Sequence, residues 1–286
     1  MKRFTAIDLS ELPPPDVVER LDYEAIVTQM RDDLVAAFPA IAGVIDLQSE
    51  PARKLIEVFA YRELLVRQRV NDAARAVMLA TAIGADLENL AAFFGVRRAE
   101  GEPDERLRRR TGLAVEAFGA AGPAGAYQFY ALSAAPELKD VTAISPEPGE
   151  VLVTLLGKEG AGEVAQDVVQ RVTHVLSADH VKPLTDVLSV GPAEILAYQI
   201  EAGLIIFPGP DSEPIRQKAI AGAAQYAARR HNLGLDITKS GLYAALHVEG
   251  VQRVILRAPQ VLPIRVSPRQ AAFCTAIEVT VDGRGD

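Results

Sequence analysis

The 286-residue sequence has no tryptophan, a single cysteine and four histidines. With Cys274 alone, no intrachain disulfide framework can form, which suits a reducing compartment. Seven tyrosines and nine phenylalanines are few for the length, so platforms on which bases or sugars stack are scarce. No run approaches the ~20 apolar residues needed to cross a bilayer. The opening Met1–Glu11 has no apolar core of signal-peptide length and already carries Asp8 and Glu11. Positive charge is also in deficit. Thirty Lys and Arg against thirty-eight Asp and Glu give a net charge of −8, and that field repels a phosphate backbone. No membrane insertion and no nucleic acid are expected.

Motifs that carry chemistry are missing too. His174, His180, His231 and His247 are scattered, with no i,i+4 pair of the kind that holds a metal. His231 falls at a helix end, where a cation would complement the helix dipole. The loop "LLGKEGAGE" (Leu155–Glu163) has Lys158 before its glycines and no hydroxyl after them, so it departs from a phosphate loop. "GAAGPAG" follows a helix instead of a strand and is interrupted by Pro123, which favours a joint over a dinucleotide site. Cys274 has no CxxC partner and reads as a small core residue. No catalytic, cofactor-binding or metal site is expected, and the chain reads as a non-enzyme. An enzyme whose polar groups converge only in space is the rival reading.

What is present is organisation. Residues 1–20 form an extended arm with a stiff Pro13–Pro15 stretch. Residues 21–98 carry helical periodicity: Leu21, Ile26, Met30, Leu34 and Phe38 recur at helical intervals. Pro51 then opens a long helix that Gly84 is expected to break, with a shorter helix after it. The charged connector "RRAEGEPDERLRRR" (Arg97–Arg110) leads into residues 99–192, a linker helix and a first module of strands and covering helices; residues 193–286 form a second. The long strand "EILAYQIEAGLIIF" is expected to be interrupted near Gly203. Gly125–Pro146 and Ser240–Pro259 share a plan of small residue, Tyr, Ala-Leu, turn and strand, which suggests duplicated supersecondary structure. The fold class is α+β: a helical N-terminal domain followed by two small α/β modules.

The long helix raises the functional question. Leu55, Phe59, Val66, Val70, Ala73, Ala74 and Val77 fall on one stripe at 100° per residue. Tyr61, Leu64 and Leu65 lie off that stripe, among Arg62, Arg67, Arg69, Asn71 and Arg75. Glu63 and Asp72 compensate part of this charge. Arginine with interleaved apolar residues, and no lysine after Lys54, favours a protein interface over a solvated face. Tyr61, Arg62, Leu64, Leu65, Arg67, Arg69, Asn71 and Arg75 are the candidate contact residues. Gly119, Gly122, Pro123 and Gly125 are the candidate hinge. A nucleic-acid site at Arg97, Arg98 and Arg106–Arg110 is disfavoured because Glu100, Glu102, Asp104 and Glu105 nearly neutralise it.

Several long segments, in order along the chain, carry a resemblance. They are "LPPPDVVERLDYEAI", "KLIEVFAYRELLVRQRVNDAARAVMLATAIGADLENLAAFFGV", "GPAGAYQFYALSAAPELKDVTAISPEPGEVLVTLL", "VKPLTDVLSV", "ITKSGLYAALHVEGVQRVIL" and "QAAFCTAIEVTVDGR". Together they resemble the baseplate J-like proteins of contractile-tailed phages. The resemblance implies a wedge subunit of the tail baseplate that joins other copies into a ring around the central hub and spike and rearranges when the tail contracts. It implies a small lysozyme-like wedge protein and a further wedge subunit as partners, with the helical region bundling and the α/β modules meeting neighbouring wedges. It supplies no catalytic residues and no cofactor. The expected location is the virion, after assembly in the host cytoplasm.

Overall fold

A computed structural model describes residues 9, 12–13, 15–119, 122–179, 181–183, 185–209 and 211–285. The mixed α+β class holds. The chain divides into two compact units, one running to Thr111 and the other beginning at Gly112.

The first unit is helical. Asp22 caps α1 (Tyr23–Ala37) by accepting from the Ala25 amide at 3.2 Å. Glu50 accepts from the Ala52 amide, and Pro51 starts α2 (Pro51–Ala76) where its missing N–H costs nothing. α2 ends at Ala76, short of Gly84. The apolar period continues through Leu79, but the chain turns after Ala76: the Thr81 hydroxyl donates to the Arg75 carbonyl at 2.7 Å, and Arg108 donates to the Leu79 and Ala82 carbonyls at 2.8 and 2.6 Å. Gly84 instead begins α3 (Gly84–Phe93), with its amide donating to Asp104 at 2.9 Å. α4 (Asp104–Ala117) follows, and the division between the units falls within it.

The second unit holds two three-stranded sheets. In the first, β2 (Glu150–Gly157) is central, antiparallel to β1 (Leu138–Ile144) and parallel to β3 (Val187–Pro192). α5 (Ala124–Ala134) and α6 (Gln166–Leu176) cover this sheet, with Val168, Val172 and Leu176 on the buried stripe of α6. Tyr127, Leu132, Leu138, Val141, Val153 and Leu155 complete its core. In the second sheet, β4 (Glu194–Ile206) is central, antiparallel to β5 (Val251–Ala258) and parallel to β6 (Gln270–Arg284). α7 (Glu213–Arg230) and α8 (Lys239–Leu246) pack together and cover it, burying Ala219, Ala223, Tyr226 and Leu242 against Ile200, Leu204 and Val254.

β4 continues as one strand through Gly203, and in place of the expected break the register shifts on either side of it, between Glu201 and Ala202 against β5 and between Leu204 and Ile205 against β6. The glycine has another cause. A Cβ there would collide with the Asp282 carboxylate, which crosses the strand to pair with Arg257. The suggested duplication does not carry through. Both echoed segments are a helix followed by an antiparallel edge strand, α5–β1 and α8–β5. In the first module, however, the central strand follows the echo in sequence, and in the second it precedes it.

The two modules meet through polar contacts as well as Leu156, Leu233 and Ala271. Asp140 is fully buried and accepts from the Leu233 amide at 2.9 Å and the Val141 amide at 2.8 Å. Lys139 Nζ lies 3.1 Å from His231 Nδ1, and His231 Nε2 donates to the Ala161 carbonyl at 3.0 Å. Burial, then the Lys139 charge, lowers the His231 pKa. His231 is therefore held neutral, and the expected cation at the end of α7 is not this residue.

Tyr198 is buried with its hydroxyl unpartnered in the apolar core. Tyr198→Phe removes that orphaned group, whose desolvation costs about 1–3 kcal/mol. The variant is expected to melt at or above the parent temperature in differential scanning calorimetry; a lower melting temperature would reveal a polar partner for the hydroxyl.

Candidate protein interface

α2 is covered by its own chain along only a narrow strip. Ile56, Ala60 and Asn71 are its buried residues. α1 lies along it, with the Tyr23 hydroxyl donating to the Glu57 carbonyl at 3.1 Å. The apolar stripe of Leu55, Phe59, Val66, Val70 and Val77 is not the core-facing side. Phe59 is 60 % exposed and Val66 64 %. Between α1 and α2 lies an open groove of about 740 Å³, walled by Met30, Leu34, Ile41, Leu55, Phe59 and Val66, with Arg62 and Glu63 contributing. Most of the exposed large apolar side chains of the described residues lie between Leu12 and Phe93. An isolated soluble unit rarely leaves a continuous apolar face of this kind uncovered.

The structure sorts the sequence-expected contact residues. Tyr61 and Leu65 are exposed and Leu64 is half-buried, on sides of α2 away from the Phe59–Val66 stripe. Arg62 and Arg69 are exposed, and among the described residues no carboxylate lies within salt-bridge reach of either. Arg67 is engaged at home, with Glu63 at 2.6 Å and Glu19 at 3.2 Å. Those carboxylates, Glu63 foremost, hold its pKa above the ordinary arginine value. Arg75 stands 3.8 Å from Asp72. Asn71 leaves the set: it is 2 % exposed and exchanges two hydrogen bonds of 2.9 Å with the Glu19 backbone, so its amide serves this chain.

The arginines of the connector are likewise internal. Glu102, with its side chain 1 % exposed, accepts from Arg106 at 2.6 Å, from Arg110 at 2.7 Å and from the Ala99 amide at 2.9 Å. Burial pushes its pKa up, but those donors outweigh it and leave the carboxyl below its ordinary value. Arg98 pairs with Glu88 and Asp104, both at 2.6 Å. A stretch that reads as a basic patch is an internal set of clamps, which leaves little of it to meet a phosphate backbone.

At the joint, Gly122 has φ +59° and a Cβ there would strike Pro183, so only glycine fits. Pro123 caps α5, Gly125 is buried in its first turn, and Gly119 is exposed; Ala120 and Ala121 lie outside the described residues. His180 and Pro14 also lie outside them. No group of three or more His, Cys, Asp or Glu among the described residues could hold a metal ion. No described helix is long and apolar enough to cross a membrane.

An assembly protein is the class that such an uncovered apolar helix defines, and the comparisons specify it. The family model for the baseplate J-like N-terminal domain matches residues 48–105, which span α2, α3 and Glu102. The chain is 42% identical over 297 residues to baseplate protein J of Escherichia phage P2, covering 97% of this chain and 98% of that one. The chain belongs to the baseplate J-like family.

Proposed function

We propose that this protein is a structural subunit of a contractile-tail baseplate, acting through contacts with other protein chains and not through catalysis. The uncovered apolar stripe of α2 carries this reading. On it, the stripe and the groove beside α1 are covered in the particle by helices of wedge partners, with Arg62 and Arg69 at the border of the contact. Copies of the subunit then form a ring around the hub, with the lysozyme-like wedge protein and a further wedge subunit as neighbours, and the ring rearranges when the tail contracts. The Gly119–Gly125 joint is the proposed point of flexure, because regular structure is interrupted there by small residues. The virion tail baseplate is the proposed location. Support comes from family membership along nearly the whole chain and from the concentration of exposed apolar residues in the helical unit.

Phe59→Asp with Val66→Asp tests it. Both side chains face solvent in the lone chain, so the variant is expected to keep the parent's circular dichroism and melting temperature. Anchors buried at an interface contribute about 2 kcal/mol or more each, so losing two weakens association about a thousand-fold. The variant should vanish from purified tail particles. Incorporation at the parent level would overturn the reading.

A further inference from the structure

The exposed stripe of α2 has a repeat that describes its partner. Leu55, Val66 and Val77 stand eleven residues apart, as do Phe59 and Val70, and each of the five is at least half exposed. Val58 with Arg69 and Arg62 with Ala73 are two more eleven-residue pairs on the stripe, and all four are exposed. Eleven residues in three turns is about 3.67 per turn, close to the 3.6 of an unstrained helix. A second helix can therefore follow the stripe nearly straight, without the left-handed winding of a heptad coiled coil. From Leu55 to Val77 the stripe runs about 33 Å. It turns away from Ile56, Ala60 and Asn71, the residues that α2 buries at home.

Arg62 and Arg69 lie inside this stripe, about 10.5 Å apart along the helix axis. Both are exposed, and among the described residues neither has a carboxylate in salt-bridge reach; Glu63 beside them is held by Arg67 at 2.6 Å. A helix laid over the stripe takes both guanidinium groups out of water, and a charge moved out of water needs an opposite charge or a hydrogen-bond acceptor. The covering helix must bring carboxylates of its own, two of them seven residues apart.

A second copy of this chain has no such helix. Among the described residues its other helices reach 18 residues at most, in α7, or about 27 Å, short of the stripe. Its α2 is long enough but wrongly charged. Laid parallel and level, two stripes set Arg62 on Arg62 and Arg69 on Arg69. Laid antiparallel about Val66, they set Arg62 on Arg69, because at 100° per residue both arginines fall on the same side of the stripe's midline. The acids of α2 are Glu57, Glu63 and Asp72, and no two of them are seven residues apart. Resting on the assembly role proposed above, we infer that the stripe is covered by one helix of a different protein, roughly 22 residues or longer, whose apolar side carries two carboxylates that pair with Arg62 and Arg69. The arginines thereby select which helix is accepted.

Arg62→Met with Arg69→Met tests it in purified tail particles. Methionine keeps apolar length on the stripe, so a partner held by apolar contact alone would bind as well or better. A partner with carboxylates would be left with two buried charges unpaired, and association should weaken about thirty-fold for each arginine removed. The variant should then be missing from particles while the lone chain keeps the parent's melting temperature. Replacing exposed Val58, at the border of the stripe, by the photo-cross-linker p-benzoylphenylalanine identifies the partner. Irradiated particles should yield a conjugate with a helical segment of another chain that holds two Asp or Glu seven residues apart. Exchanging those two acids for lysine should restore assembly to Arg62→Glu with Arg69→Glu. Parent-level incorporation of the methionine variant would overturn the acidic partner and leave the baseplate role standing. A conjugate of the chain with itself, or none from particles that contain it, would do the same. A parent chain missing from the particles would remove the baseplate role and the acidic partner together.

Discussion

Glu102→Ala is expected to lower the stability of the helical unit by about 3–5 kcal/mol, the usual penalty for removing one member of a buried ion pair. Glu102 sits between Arg106 and Arg110 and is the carboxylate shared by both guanidinium groups. Its loss leaves two positive charges in a low-dielectric site and orphans the Ala99 amide. Typical domains hold only about 5–15 kcal/mol in total, so the variant should unfold at much lower denaturant concentration, read by chemical denaturation of the full chain. Replacing Glu102 by Leu together with Arg106 and Arg110 by Met should recover most of that loss, because an apolar cluster of similar volume avoids desolvating charge. A stability within about 1 kcal/mol of the parent for Glu102→Ala alone would show that the clamp holds nothing together. The clamp also gives a sign for acid. The folded-state pKa of Glu102 is lowered, so its contribution is present above its unfolded value and is lost as pH falls through the folded one.

Asp140→Ala is expected to cost the second unit about as much, roughly 3–5 kcal/mol, by a different route. Asp140 is buried at the meeting of the two α/β modules and accepts one amide from each of them. Truncation orphans both donors and removes the carboxylate that offsets the burial of Lys139, whose pKa is drawn down by desolvation. The expected signature is a lower melting temperature with protease cleavage appearing around Ala193, where β3 gives way to β4. Asp140→Asn retains one acceptor and should lose clearly less. Equal melting temperatures for Asp140→Ala and the parent would mean that Leu156, Leu233 and Ala271 join the modules unaided. His231, beside Lys139, adds a pH dependence. Its folded pKa is lowered, so this junction is at full strength above the unfolded histidine value of about 6.5 and weakens as pH falls below it.

Much of the architecture could be read from the residues. The order of helices and strands, the start of α2 at Pro51 and the edge strands after α5 and α8 follow from periodicity and from proline and glycine placement. Long-range contacts account for what could not be read. The turn after α2 is held by Arg108 reaching back from α4 to two carbonyls, a contact that no local pattern announces, and by the Thr81 hydroxyl donating to the Arg75 carbonyl. Gly203 looks like a strand breaker until Asp282, far along the chain, is seen crossing over it. Asn71 sits among arginines in sequence but faces inward at Glu19, because a 100° step separates neighbouring side chains. The stripe from Leu55 to Val77 was visible as a pattern, yet periodicity reports that a face is apolar and says nothing of which chain covers it. One clue was available: α1, the neighbour that could cover the stripe, is 15 residues long against the 26 of α2.

The reciprocal pair of bonds between Asn71 and the Glu19 backbone has a practical corollary. It fixes the exit of the N-terminal arm to the far half of α2, several turns beyond Phe59. A fluorophore or affinity handle attached at exposed Asp16, three residues before Glu19, therefore reports from that end of the helix, and its spacing from a second label near Leu55 gives a ruler by which docking along α2 can be followed in solution.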